Sequence, residues 1–153
     1  QAGYHILIYG ASGSVGTFAI QLSKYFGAGV TAVCSNANIN LVKSLGADEV
    51  VDYVKQDFTM TEKRFDIVFD AVGKTSKQKC KKLLKTGGCF ISVSSSVKGD
   101  PGDLLFLKEL IESGKLRTAI DRSYTLEQIR EAHSYVEGFH KKGNVVINVL
   151  STQ

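Results

Sequence analysis

The sequence lacks the features that mark secreted, membrane-spanning or multidomain chains. Its 153 residues contain one proline, Pro101, so no proline-rich linker divides the chain. No apolar run approaches the ~18 residues that span a bilayer, and the amino terminus has no initiator methionine and no leader pattern. The three cysteines, Cys34, Cys80 and Cys89, form no Cys-x-x-Cys pair, so neither a disulfide framework nor a zinc site is predicted. We expect a single cytoplasmic domain, residues 1–153, with reduced cysteines and no membrane partner.

Basic residues outnumber acidic ones, and the formal net charge is +4 at pH 7. Much of the excess lies in six lysines between residues 74 and 85. The pattern predicts one solvated helix whose buried side carries Leu83 and Leu84. No aromatic residues are interleaved with these lysines, so a nucleic-acid partner is not expected.

Apolar runs alternate with segments of helical periodicity along the whole chain. Strands are predicted over residues 6–9, 30–33, 49–53, 66–70, 89–93 and 145–149. Helices between them end at Gly27, Gly46, Gly87 and Gly114. Helix starts are predicted at two capping boxes, residues 75–78 and 125–128, and at an Asp103 cap.

This alternation predicts the fold class. Parallel strands need crossover helices, which are right-handed in nearly all cases. We therefore expect an α/β fold with a Rossmann-type doubly wound, mostly parallel sheet in three αβα layers, with strand order 3-2-1-4-5.

A glycine-rich loop connects the first strand to the first helix. Gly10 allows a tight turn, Gly13 leaves room for an approaching phosphate, and Gly16 lets the helix pack closely on the sheet. A helix N-terminus offers unpaired N–H donors and partial positive charge, and Ser12 and Ser14 can add hydroxyl donors. In this strand–loop–helix context the spacing predicts a dinucleotide pyrophosphate site. The alternative is a tight turn that binds nothing.

The second strand ends without an acidic residue. NAD-binding domains often place Asp or Glu there to bond the ribose 2′-hydroxyl, whereas this strand ends in Cys34, Ser35 and Asn36. An acid would repel a 2′-phosphate, so its absence favours NADP(H) over NAD(H), with Lys43 the nearest cation and Tyr53 a further hydroxyl donor. The missing acid also argues against an S-adenosylmethionine site, which usually needs one at this position for the ribose diol. Alternatively, Ser35 and Asn36 cap the next helix.

Several stretches, in this order, resemble one family. The chain resembles the cofactor domain of medium-chain dehydrogenase/reductases, in the branch of zeta-crystallin-like NADPH:quinone oxidoreductases. The matching stretches are residues 7–16, 44–48, 51–53, 65–73, 87–88, 114–116 and 143–147.

The resemblance implies roles for residues at the carboxyl ends of the strands. The pyrophosphate would lie on Ser12, Gly13, Ser14 and Val15. Ser35 and Tyr53 would lie near the 2′-phosphate, and Asn38 stands where some relatives carry a phosphate-binding lysine. Ala71, Val72 and Gly73 would pass the cofactor, and Ser92, Val93 and Ser94 would approach the nicotinamide.

The chain also departs from this family. The family's N-terminal catalytic domain is absent, and the segment between Ser94 and Asp103 is too short for the usual sixth strand. Residues 118–153 resemble a tail that normally returns to the catalytic domain. We expect them to cover or extend the edge of the sheet, and an exposed edge could support a homodimer.

The resemblance implies that the parent protein transfers hydride from NADPH to a quinone or an activated alkene. The cofactor carries such chemistry. We predict no catalytic residue and no metal ligand in this chain, and we interpret His5, His133 and His140 as structural or surface residues. We expect the chain alone to be inactive.

No Tyr-x-x-x-Lys pair is present, which argues against a short-chain dehydrogenase. The alternatives are the cofactor domain of a zinc-dependent alcohol dehydrogenase and a nucleotide-binding module inactive on its own.

Overall fold

A five-stranded parallel sheet forms the centre of the molecule. The computed structural model describes residues 2–95, 99–139 and 141–149. The strand order is β3-β2-β1-β4-β5, and every pair of neighbours is parallel, which confirms the predicted order and fold class. The strands are β1 (His5–Tyr9), β2 (Gly29–Cys34), β3 (Glu49–Asp52), β4 (Phe65–Asp70) and β5 (Leu84–Ser92).

Apolar residues cover both faces of this sheet. Leu7 and Ile8 point to opposite faces of β1 because successive strand residues alternate, and both are fully buried. Ile8 packs in a cluster with Ile20 and Val42, whereas Leu7 packs in a second cluster with Val68. This burial on both sides is what the continuous apolar runs predicted.

Five α-helices connect or flank the strands in the described part of the chain: α1 (Ser14–Tyr25), α2 (Ile39–Ser44), α3 (Lys77–Cys80), α4 (Pro101–Glu112) and α5 (Ile129–Glu137). Gly27, Gly46 and Gly114 follow α1, α2 and α4 with positive φ, as predicted. None of the helices in the described ranges is long and apolar enough to cross a membrane.

The buried face of α1 includes polar residues. Val15, in the first turn, is 45% exposed, whereas Thr17 is completely buried. Gln21 is buried because its side chain bonds Arg117, at the start of the C-terminal segment (residues 117–149): its Nε2 donates to the Arg117 carbonyl, and its Oε1 accepts from the Arg117 N–H. Polar residues therefore form part of the packing surface of this helix.

The lysine-rich segment was predicted wrongly. Its helix begins after Ser76, whose Oγ accepts from the Lys79 N–H, and not at a capping box on Thr75. Helix α3 is a single turn that continues as a 3₁₀ turn, Lys81–Leu83, and β5 starts at Leu84, so Gly87 does not end a helix. Lys85 lies in the strand, where it forms an ion pair with Asp66 of β4 at 2.8 Å.

Two other helix starts can be compared with the sequence pattern. Helix α4 starts earlier than predicted, because Asp100 is its cap, Pro101 is its first residue, and Asp103 completes a capping box from the third helical position. The capping box predicted for residues 125–128 is present, and Thr125 N–H donates to Gln128 Oε1 at 3.1 Å.

The C-terminal segment forms a sheet of its own, so the prediction that it would cover or extend the edge of the main sheet was wrong. Strands β6 (Ile120–Thr125) and β7 (Asn144–Asn148) pair in parallel with each other. The residue before β7 contacts the glycine-rich loop, where Gly143 N–H donates to the Ser12 carbonyl at 2.8 Å. Backbone bonds at this loop, together with the Gln21 contacts, fix the position of the segment.

We predict that Gly16→Ala destabilises the fold. A Cβ atom at Gly16 would lie 2.3 Å from the Gly10 carbonyl oxygen and 2.7 Å from the Ala11 backbone. Backbone atoms cannot move aside cheaply, so the free energy of unfolding should fall by about 3 kcal/mol, as measured by urea denaturation.

Gly13→Ala is the matched control for this prediction. Its Cβ would lie at an ordinary contact distance of 3.4 Å from Gly10 O, so stability should change by less than about 1 kcal/mol. Equal losses in the two variants would show that helix α1 does not depend on the close approach at Gly16.

Candidate functional site

An open cleft of about 720 Å³ lies at the carboxyl ends of β1, β2 and β4. This is the point where the chain order of the sheet reverses, which is where open α/β sheets bind ligands. Three lysines and no carboxylate occur among the described residues that line it. The lining residues are Tyr9, Gly10, Ser12, Gly13, Cys34, Ser35, Ala37, Asn38, Tyr53, Val72, Lys74, Phe139, Lys141 and Lys142.

The glycine-rich loop forms the floor of this cleft. Gly10 has a φ of 78°, which suits glycine, and its N–H donates to the Val33 carbonyl at 3.1 Å. Gly13 is the N-cap residue of α1, and no described side chain caps the helix there. Since Thr17 N–H is bonded to the Gly13 carbonyl, the N–H groups of Val15 and Gly16 have no acceptor among the described residues.

The C-terminal segment partly covers this helix end. Gly143 forms an isolated bridge with Gly13, and its carbonyl accepts from Ser14 Oγ at 2.8 Å. The ammonium group of Lys141 donates to Ser14 Oγ at 2.5 Å and to the Gly143 carbonyl at 2.9 Å. Ser14 therefore directs its hydroxyl hydrogen to Gly143, whereas Lys141 brings positive charge to the loop.

Polar side chains form the wall that follows β2. Asn38 Nδ2 donates to Ser12 Oγ at 2.9 Å and to Ser35 Oγ at 3.3 Å. Ser12 accepts in this bond, which leaves its own hydroxyl hydrogen available. Ser35 is the N-cap of the 3₁₀ turn Asn36–Asn38 but makes no side-chain cap bond. Asn36 is exposed and does not line the cleft.

A buried carboxylate fixes the opposite wall. Asp70, at the end of β4, is completely buried. Its Oδ1 accepts from the N–H groups of Val72 and Gly73, at 3.1 and 2.9 Å, and its Oδ2 accepts from Thr75 N–H at 3.0 Å. The Val72 side chain lies close to Gly10: a Cβ atom added at Gly10 would be 2.5 Å from Val72 Cγ1. Asp70 therefore holds the loop after β4 against the glycine-rich loop.

Some predicted residues lie beyond the cleft. Ala71 belongs to the buried core. Ser92 pairs with Asp70 across the sheet, and the residues after it lie beside Gly73, where an added Cβ would be 2.6 Å from Ser94 Oγ. Residues 92–94, Gly73 and Ala71 are thus outside the cleft lining, and so are the predicted residues of the first turn of α1, Ser14, Val15 and Gly16.

The titratable groups around the cleft favour binding rather than nucleophilic chemistry. Burial and the neighbouring Asp52 raise the pKa of the Cys34 thiol to about 11, so this wall residue is uncharged at neutral pH. Asp52 directs its Oδ1 to the Val54 N–H at 3.0 Å and does not line the cleft. His5 and His133 are exposed and outside the lining, and His140 lies outside the described residues.

Sequence reasoning missed seven residues of the lining: Tyr9, Cys34, Ala37, Lys74, Phe139, Lys141 and Lys142. Three of them come from the C-terminal segment, and Lys141 is 127 positions from its partner Ser14. No local periodicity links residues so far apart. Among the described residues, no group of three or more His, Cys, Asp or Glu side chains is arranged to hold a metal ion.

We predict that Asp70→Asn destabilises the fold and loosens the cleft. The substitution keeps the side-chain shape but turns an N–H₂ group toward buried N–H donors, a conflict that costs about 2–3 kcal/mol in the free energy of unfolding. Urea denaturation measures this loss.

The control for this prediction is Asp57→Asn, at an exposed cap that accepts from Thr59 N–H. Asn serves well at such caps, so the control should leave the free energy of unfolding unchanged. An unchanged stability of Asp70→Asn would rule out the role assigned to this carboxylate.

Comparison with known proteins agrees with this geometry. The family model described as zinc-binding dehydrogenase matches residues 14–137. The chain is 36% identical to the 2-methylene-furan-3-one reductase of Solanum lycopersicum, over 98% of this chain and 42% of that protein. It is 35% identical to the chloroplastic NADPH-dependent alkenal/one oxidoreductase of Arabidopsis thaliana, over 96% of this chain and 41% of that protein.

Solved structures show the same architecture. The quinone oxidoreductase from Coxiella burnetii superposes with a TM-score of 0.89 at 27% identity, over 98% of this chain and 54% of that one. The chain spans about half the length of the relatives it matches or less. The family model, the relatives and the fold together confirm the resemblance seen in the sequence: this chain belongs to the zinc-binding dehydrogenase family of medium-chain dehydrogenase/reductases.

Proposed function

We propose that this chain is the NADP(H)-binding domain of an oxidoreductase that transfers hydride from NADPH to a quinone or an activated alkene. The observation that carries the proposal is the cleft itself: the glycine-rich loop at its floor, three lysines around it and no carboxylate in its described lining. Such a site suits a polyanion, because each phosphate finds donors or positive charge and meets no acidic side chain.

The floor of the cleft would hold the pyrophosphate. The N–H groups of Val15 and Gly16 are its direct donors, and the Ser12 hydroxyl has a hydrogen to give because Asn38 supplies the bond that Ser12 accepts. Gly13 has no side chain between these donors and the ligand. The positive end of the twelve-residue helix α1 adds to the attraction for a diphosphate.

The wall after β2 would hold the adenosine and its 2′-phosphate. Ser35 and Tyr53 contribute hydroxyl groups to this wall. Lys74 and Lys142 add positive charge to the same cleft. Since no described lining residue carries a carboxylate, NADP(H) meets no repulsion here, and NAD(H) lacks the acid that usually bonds its ribose.

The nicotinamide would lie toward residues 92–94, where β5 ends beside the loop held by Asp70. The bound cofactor supplies the hydride in such enzymes. This chain orients the cofactor and contributes no catalytic residue, so we expect the chain alone to bind NADPH with little turnover.

The relatives support the substrate class. Two of them are named as a furan-3-one reductase and an NADPH-dependent alkenal/one oxidoreductase, and the superposed structure is a quinone oxidoreductase. The second candidate is the cofactor domain of a zinc-dependent alcohol dehydrogenase, which the family's description favours. A cytoplasmic location and a homodimer stay predictions, and one relative is named as chloroplastic.

We predict that the chain binds NADPH about ten times more tightly than NADH, a difference of about 1.4 kcal/mol. The 2′-phosphate gains attraction from the lysines, and NADH has no acid to replace it. Isothermal titration calorimetry with each nucleotide measures this ratio. Equal or tighter NADH binding would contradict the preference, and no binding of either at millimolar concentration would contradict the proposed function.

Ser12→Asp should weaken NADPH and NADH binding alike, each by about tenfold or more. The new carboxylate would face the pyrophosphate across the floor, where like charges repel. Ser134→Asp is the control, because this exposed serine on α5 does not line the cleft and adds the same charge. Unchanged affinity in Ser12→Asp would show that the diphosphate does not lie on this loop.

A further inference from the structure

The buried carboxylate of Asp70 joins two loops at the carboxyl end of the sheet. Besides the N–H groups of the loop after β4, it accepts a hydrogen bond on Oδ2 from the hydroxyl of Ser92, the last residue of β5. This bond is 3.5 Å long, but both residues are buried, and a low local dielectric strengthens the attraction between a carboxylate and a hydroxyl dipole. The contact therefore fixes the direction in which the Ser92 hydroxyl points.

The Ser92 hydroxyl also holds the turn that follows β5, residues 92–95. Its oxygen accepts from the Ser94 N–H at 3.2 Å, so the same hydroxyl donates to the carboxylate and accepts from the backbone of the turn. A backbone bond supports the turn from the neighbouring strand, because Val93 N–H donates to the Asp70 carbonyl at 3.0 Å. Ser92 is therefore the side chain that links the buried carboxylate to this turn.

The turn fits closely against the loop after β4. Gly73 has a φ of 69°, and a Cβ atom added there would lie 2.6 Å from Ser94 Oγ. The Gly73 N–H is bonded to Asp70 Oδ1 at 2.9 Å. Asp70 therefore holds both sides of this contact: the Gly73 backbone directly, and the Ser94 backbone through the hydroxyl of Ser92.

The residues that this turn presents are exposed. Val93 is 42% exposed and Ser94 is also exposed, whereas Ser92 before them is buried. Burial of their own side chains does not fix Val93 and Ser94, so their position depends on the bonds to Ser92 and Asp70. In the proposed function, the nicotinamide lies toward this turn.

We infer that Ser92 is a positioning residue for the nicotinamide of the bound cofactor. Its buried hydroxyl acts through the turn that it holds against Asp70 and does not contact the ligand itself. The inference rests on the proposed function. A buried serine at the end of a strand could instead serve only the stability of the sheet, and the two roles differ in one result: only positioning confines the effect of its removal to the nicotinamide.

Titration of Ser92→Ala with NADPH and with 2′-phospho-ADP-ribose tests the inference. The second ligand is NADPH without its nicotinamide, so both ligands carry the same phosphate groups. The substitution removes the acceptor of Ser94 N–H and the bond to Asp70, so NADPH should bind about fivefold more weakly. The affinity for 2′-phospho-ADP-ribose should stay unchanged. Isothermal titration calorimetry measures both affinities.

Two further variants serve as controls. Ser113→Ala removes a hydroxyl that donates to the Glu109 carbonyl at the end of α4, outside the cleft, and should leave both affinities unchanged. Ser92→Thr keeps the hydroxyl and should restore most of the NADPH affinity. Binding of 2′-phospho-ADP-ribose also shows that each variant is folded around an intact phosphate site.

The fluorescence of the reduced nicotinamide gives a second readout, which a merely structural role would not change. A nicotinamide held against the turn is shielded from water, so its emission should rise and shift to shorter wavelength when NADPH binds to the wild-type chain. Ser92→Ala saturated with NADPH should lose most of this change. An emission change of wild-type size in the saturated variant would overturn the inference.

The possible outcomes separate the inference from the proposed function. Equal losses for the two ligands in Ser92→Ala would show that this residue supports the whole site, and unchanged binding of both would show that the nicotinamide does not depend on it. Either result would overturn the inference. A wild-type chain that binds neither ligand would instead refute the proposed function on which the inference rests.

Discussion

The close approach of helix α1 to the turn after β1 is the contact on which the rest of the structure depends. Gly16 lies so close to the backbone of Gly10 and Ala11 that any side chain at position 16 would clash with it. This contact brings the start of the helix to the carboxyl end of the central strand. Because Gly13 precedes the helix and no described side chain caps it, the N–H groups of Val15 and Gly16 have no acceptor among the described residues. Packing and ligand binding therefore both constrain residues 10–16, and the glycines and serines of this stretch satisfy both constraints.

The other walls of the cleft are arranged around that helix end. The buried carboxylate of Asp70 accepts hydrogen bonds from the backbone of the loop after β4, and this brings Val72 against Gly10. Asn38 ties the loop after β2 to Ser12. The C-terminal segment adds Lys141 and Gly143 from the third side. Each of these elements contacts the glycine-rich loop, so the cleft has a fixed shape at the point where phosphate groups would lie.

The parts of this arrangement that are local in the sequence could be predicted, and the parts that depend on distant contacts could not. The strand order follows from alternating periods, and helices end at Gly27, Gly46 and Gly114 because glycine adopts positive φ without strain. The start of α3 was misplaced because Asp70, five residues earlier, takes the N–H of Thr75. The role of Lys141 had no local signal, since its partner lies 127 positions away.

The central claim is that the amides at the start of α1 receive a diphosphate. Titration of ¹⁵N-labelled chain with ADP, followed by amide chemical shifts, tests it most directly because ADP carries the diphosphate without the nicotinamide. The largest shifts should occur at the amides of Val15 and Gly16, with slowed hydrogen exchange at both. Saturable ADP binding that leaves these two amides unshifted would show that the diphosphate does not bind there.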